Sequence, residues 1–269
     1  MFDRILVPLD GGPRGEVALR IAERLGDVWG APLDVLGLAE TSGTLPSAEE
    51  AVGRQTADVR GRGRVSVRTA VASVSEEIVR AVDADPSTLV VMATSAKNRT
   101  AAFAESVADA VLRGAAGPVL LVGPHAELTE FWPDGPMLIC TDGSEWSEAI
   151  VPHSAAFVDG AGLDPWFVSV VDPAEVPAAV GARSETNYTA RLAADFRPLV
   201  DREVNFDVLH GPDPADRILD YAKSTGASLI AMATHGRTGI RRLAMGSVAM
   251  SVVHDARCPV LVARPAEGT

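Results

Sequence analysis

The segment Met232 to Val248, MATHGRTGIRRLAMGSV, holds the residues best suited to chemistry. Gly236 and Gly246 bracket nine residues, and Ser247 with an apolar helical pattern follows at once. Small residues at Ala233 and Gly236 let backbone amides approach a ligand closely, and glycine adopts positive φ at low cost. A helix opening at Gly246 and Ser247 offers unpaired amides and the positive end of a dipole, both of which favour phosphate. Ser247 adds a hydroxyl donor. In a helix spanning Ser247 to Asp255, Val248, Val252 and Val253 form the inward stripe. Strand, glycine loop and helix in this order make a phosphate cradle, whereas glycine spacing alone makes only a loop. From Met92 a second copy, MATSAKNRTAAFAESVADAV, keeps the framework without the glycines.

The elements that must position this loop are repeated along the chain. RILVPLDGG (Arg4 to Gly12) is echoed by MLICTDGS (Met137 to Ser144), STLVVMATSA (Ser87 to Ala96) by ASLIAMATHG (Ala227 to Gly236), and AAGPVLLVGP (Ala115 to Pro124) by ARCPVLVARP (Ala256 to Pro265). Three matching blocks in one order predict a tandem duplication, with domains over residues 1–126 and 134–269. The boundary falls in GPHAELTEFWPDGP, where proline, glycine and charge interrupt the apolar pattern.

Within each half, apolar runs alternate with amphipathic helical ones, which predicts crossover units and a parallel sheet. The first half has strands at Ile5 to Leu9, Leu33 to Leu38, Val65 to Val71, Leu89 to Ala93 and Val119 to Val122. The second has them at Leu138 to Thr141, Trp166 to Val171, Glu203 to Leu209, Leu229 to Ala233 and Val260 to Ala263. The predicted fold class is α/β, two tandem five-stranded Rossmann-like domains. A ligand of such a sheet sits beyond the carboxyl ends of the strands where strand order reverses. There the second half delivers Thr141 and Asp142 from its first strand and Met232 to Gly236 from its fourth.

Composition narrows the function classes. A chain of 269 residues with a formal net charge of −12 repels a phosphate backbone over most of its surface, so no nucleic-acid partner is expected. The basic stretch with Arg60, Arg62, Arg64 and Arg68 has no interleaved aromatics for stacking and reads as a solvated loop feeding a strand. No apolar run is long enough to span a bilayer, and the first ten residues lack a leader pattern, so the expected location is the cytoplasm, without a membrane partner. Cys140 and Cys258 fit neither a zinc pattern nor a disulfide framework and read as small core residues.

Both halves resemble universal stress protein domains. That family's nucleotide pattern is glycine, two residues, glycine, nine residues, glycine, then serine or threonine, and the second half matches it at Gly236, Gly246 and Ser247 with Ala233 at the first position. The resemblance implies an adenine nucleotide alpha hydrolase-like fold, ATP as ligand with or without Mg2+, Asp142 beside adenine and ribose, and Val170 addressing adenine through its backbone. Met232, His235 and Gly236 then belong to the phosphate loop, and Val248 to the helix start. In the first half, Ala93, Ala96, Glu105 and Ser106 stand at the pattern positions, and Glu105 would set a carboxylate where phosphate rests, so that half is expected not to bind ATP. The resemblance also implies that the halves form an intramolecular pseudo-dimer, with room for a further homodimer.

Alternatives stand beside these assignments. Asp142 with Glu145 has the spacing of a capping box, and Asp10 precedes a proline suited to a first helical position. His235 reads as a hydrogen-bonding loop residue, since no second ligand is grouped with it, and no catalytic or metal-binding residue is assigned. Arg237, Arg241 and Arg242 read as solvated. The function expected is an ATP-binding regulatory protein of the stress response read by a protein partner. The alternatives are a nucleotide-independent interaction module and, further off, a slow ATPase or an ATP-dependent substrate-activating enzyme.

Overall fold

A computed structural model describes residues 2–57, 59, 63–83, 85, 87–94, 106–127, 132–174, 181–235 and 245–265, with backbone alone for 181–185. The contacts divide the chain into two units, Met1–Pro124 and His125–Thr269.

The first unit runs β1 (Arg4–Leu9), α1 (Pro13–Trp29), β2 (Leu33–Ala39), α2 (Leu45–Gln55), β3 (Gly63–Thr69), α3 (Val74–Asp83), β4 (Thr88–Ala93), α4 (Val107–Gly114) and β5 (Val119–Val122). Its strands are parallel in the order β3-β2-β1-β4-β5. The central strands are continuous apolar runs because helices cover both faces of such a sheet, and Ile5, Val7, Leu89, Val90, Leu120 and Leu121 are fully buried. Each such side chain contributes about 1.5–3 kcal/mol through burial. Pro13 opens α1, and Asp10 accepts the Gly12 amide at 2.8 Å, so the Asp-Gly-Gly-Pro turn ends β1 and starts the helix together.

The second unit repeats this plan with β6 (Pro136–Cys140), α5 (Val151–Ala161), β7 (Asp164–Val171), α6 (Gly181–Phe196), β8 (Asn205–His210), α7 (Pro214–Thr225), β9 (Leu229–Ala233), α8 (Ser247–Asp255) and β10 (Val260–Ala263). Its order is β8-β7-β6-β9-β10, all parallel, so strand order reverses between β6 and β9. A one-turn 3-10 helix, Ser147–Ile150, leads into α5. At α7, the Asp213 carboxylate caps the Ala215 and Asp216 amides at 2.9 and 3.2 Å, and Pro214 follows it.

Several boundaries differ from the sequence expectation. The third strand is Gly63–Thr69 rather than Val65 to Val71, and Val71 is 88% exposed. Its register, Leu33 opposite Gly63 through Ala39 opposite Thr69, is set by the neighbouring strand instead of its own valines. The eighth strand starts at Asn205 rather than Glu203, and the sixth ends at Cys140, leaving Thr141 just beyond it. In α8 the buried residues are Ala249, Val252 and Val253, while Val248 is half-buried. No helix among the described residues is long and apolar enough to cross a membrane.

Candidate functional site

The register of the second sheet decides which residues meet at the reversal. Cys140 lies opposite both Val168 and Met232. Carrying that register onward by one residue aligns Thr141 with Ser169 and Ala233, and by two aligns Asp142 with Val170 and Thr234. Hydrogen bonds confirm the first row: the Thr141 amide reaches Val168 O at 3.0 Å, and the Thr141 and Ser169 hydroxyls are 3.4 Å apart. Asp142 follows β6 by two residues, Val170 lies near the end of β7, and His235 follows β9 by two residues, all on the carboxyl side of the sheet where a ligand of such a fold is expected. Met232 and Ala233 remain buried within β9 beneath them.

The helix start is brought to the same place by one bond. The Gly246 amide donates to Thr234 O at 2.7 Å, which closes the loop's ends, and a Cβ at residue 246 would lie 3.1 Å from that carbonyl. Ser247, the first residue of α8, is exposed. Gly246 occupies the N-cap without a side chain to donate to, and the first turn carries no acid. The orphan amides of α8 therefore receive no side-chain cap from the N-cap residue, and the dipole there is not offset by a carboxylate of the helix itself. Gly236, Arg237, Arg241 and Arg242 lie outside the described residues.

The corresponding end of α4 is built differently. Ser106 is its N-cap, and its hydroxyl accepts the Asp109 amide at 3.1 Å. Asp109 is buried in the first turn and pairs with Arg113 at 2.6 Å; burial raises its carboxyl above the usual value while Arg113 pulls it down. An acid and a hydroxyl from the helix itself thus take the role that a bound anion could take at α8. Ala93 ends β4, and Ala96 and Glu105 lie outside the described residues.

Asp142 is held by a knot of short hydrogen bonds. Its Oδ1 accepts from the Ser144 amide at 3.0 Å and from Ser144 Oγ at 2.6 Å, and its own amide donates to Ser147 Oγ at 3.1 Å. The Ser147 amide in turn donates to Ser144 Oγ at 3.2 Å. Asp142 and Glu145, the pair with capping-box spacing, both precede the helix, which begins at Ser147, three residues after Ser144. The His235 ring meets the Thr234 hydroxyl through Nδ1 at 3.1 Å.

Sequence reasoning missed a polar cluster behind Asp142. Thr189 of α6 donates to Ser169 at 3.0 Å, and both are buried. Beside it the Tyr188 hydroxyl donates to Glu148 at 3.0 Å, with the Arg191 guanidinium 5.5 Å from the Tyr188 ring centre. Burial first, and then the Glu148 carboxylate, push the Tyr188 hydroxyl up to about 12, so it stays a donor at neutral pH. A serine inside the apolar run FVSVV was the available signal; the α6 residues gave none.

The universal stress protein family model matches residues 1–123 and again 135–264. The chain belongs to the universal stress protein family. It is 27% identical over 248 residues to a universal stress protein of Mycobacterium tuberculosis H37Rv, covering 88% of this chain and 80% of that one. A universal stress protein of Methanocaldococcus jannaschii is 42% identical over 141 residues, 48% of this chain and 81% of the relative. Among solved structures, a universal stress protein from Archaeoglobus fulgidus superposes with a TM-score of 0.70 at 17% identity, covering 99% of this chain and 97% of that one. A putative one from Pseudomonas aeruginosa gives 0.69 at 21% identity, with 98% and 94% covered. Both likenesses concern the tandem α/β fold.

Proposed function

We propose that this member of the family is a regulatory nucleotide-binding protein in which the domain over residues 134–269 holds ATP, with or without Mg2+, and the first half holds none. The observation that carries this reading is the contrast between two equivalent helix starts: α4 is capped by Ser106 and carries Asp109, whereas α8 begins on a bare glycine with no acid in its first turn. Phosphates would rest on the amides of Ser247 and Val248, with the Ser247 hydroxyl adding a donor. Asp142, oriented by Ser144, would accept from ribose or adenine, and the Val170 backbone would line the adenine side. Gly236 and His235 would complete the loop around the phosphates. Occupancy would shift the population of surface conformations around the site, and a protein partner in the stress response would read that change.

Calorimetric titration with ATP and Mg2+ tests this directly. One site per chain is expected, lost in Gly246→Glu, whose carboxylate would face the phosphates, with the circular dichroism of the variant unchanged. Absence of both binding heat and thermal protection in the unaltered protein would overturn the proposal and favour a nucleotide-independent interaction module.

A further inference from the structure

At the other end of α8 stands a group that plays no part in the proposed nucleotide site. His254 and Asp255 are the last two residues of the helix, and His125, the first residue of the second unit, faces them. Their candidate ligand atoms, two ring nitrogens and a carboxylate oxygen, all lie within 4.8 Å of one another. His254 Nδ1 is 2.7 Å from Asp255 Oδ1, and the His125 and His254 rings approach edge to face with centroids 5.5 Å apart.

The backbone builds this convergence. The Glu127 amide donates to Arg257 O at 2.8 Å, so the segment entering the second unit runs beside the segment leaving α8. Ala126 and Ala256, each adjoining one of the ligand positions, are buried, which anchors both segments and leaves His125 exposed and the other two half-buried. Asp255 also lines a cleft of about 400 Å³ at the amino-terminal ends of the strands, opposite the nucleotide crevice.

We infer that His125, His254 and Asp255 form a binding site for a zinc-like divalent transition metal. Two imidazoles and one carboxylate are the ligand types that such an ion takes, whereas Mg2+ and Ca2+ prefer oxygen alone. Tetrahedral Zn2+ with bonds of about 2.1 Å places its ligand atoms about 3.4 Å apart, so the three groups, one exposed and two half-buried, need only a small rearrangement. Three protein ligands leave a fourth position to water or a small anion, and Lys223 and Arg257 line the adjoining cleft. The net charge of −12 raises the local concentration of cations around the molecule. A bound ion would clamp residue 125 to the end of α8 and stabilise the second unit by an amount that grows with the logarithm of free ion concentration above the Kd.

The test uses the full chain without a polyhistidine tag, titrated with Zn2+ by calorimetry and with Co2+ by visible absorption. One equivalent per chain is expected, together with the strong visible bands of four-coordinate Co2+ and a rise in melting temperature. His125→Ala, His254→Ala and Asp255→Asn should each weaken binding by more than about tenfold, the scale on which even outer-shell partners act. His210→Ala, at the exposed end of β8, should leave binding unchanged. No saturable binding, or binding equally strong in the three ligand variants, would overturn the site. ATP titration of the same variants keeps this result separate from the nucleotide proposal, since none of the three residues contributes to that crevice.

Discussion

A thiol is reactive to the extent that it ionises, and Cys140 and Cys258 are both buried with their ionisation pushed up to about 12, first by loss of solvent. In the folded protein neither should react appreciably with DTNB at pH 8, and two equivalents should react once the chain is unfolded in denaturant; rapid native labelling would contradict the burial. Their core role was legible from the sequence because no partner spacing competed with it. The place of Asp142 just after a strand was legible too, but its orientation was not. That depends on Ser144 and Ser147 folding back onto it, and the bonds exist only because the helix starts at Ser147. Ser169 and Thr189 escaped for a related reason: a polar pair buried between a strand and a helix is defined by tertiary contact, and each residue alone reads as an ordinary interruption of an apolar pattern.

Elements with strong local signals emerged where expected. β9 and β10 match the sequence reading at both ends, and Pro13 marks the start of α1. The edge strands were less legible because half-exposed residues carry a weaker pattern and the register comes from the neighbour; the tight contact at Gly63 shows this, since a Cβ there would lie 2.2 Å from Leu33 O. The two helix starts after β4 and β9 differ in their capping, the contrast on which the proposed function rests. Ser106→Ala removes the acceptor for the Asp109 amide and should cost about 1 kcal/mol of stability, read by denaturant melts. Ser247→Ala should cost much less, because Ser247 is the exposed first helical residue and not the cap, while weakening ATP binding under the proposal. Equal stability losses would show that both serines act as caps, removing the distinction between the halves.

Duplication has given the molecule two units of the same topology, and in each one titratable group, the buried Asp109 and the half-buried His153, links stability to pH with opposite sign. In the first unit, burial raises Asp109 against the pull of Arg113, so the unfolded chain releases that proton more readily than the folded one, and the penalty develops as pH rises from 3.8 to the folded value and then levels off. In the second unit, burial lowers His153 below its ordinary 6.5. Above pH 6.5 both folded and unfolded chains hold this imidazole neutral, and it contributes nothing. Below it the unfolded chain takes up a proton that the folded chain declines, so stability falls as pH drops from 6.5 toward the folded value and then levels off. Replacing His153 with glutamine, which does not titrate, should therefore flatten this part of the profile. Denaturant melts at pH 7.5 and 5.5, followed by the tryptophans, of which Trp132, Trp146 and Trp166 belong to the second unit, should show the unaltered chain losing more stability than His153→Gln. The difference at pH 5.5 is at most about 1.4 kcal/mol, because that pH lies one unit below the ordinary value of a histidine. An identical loss in both proteins would mean that His153 reaches water in the folded state, and the acid sensitivity of the second unit would then have to arise elsewhere.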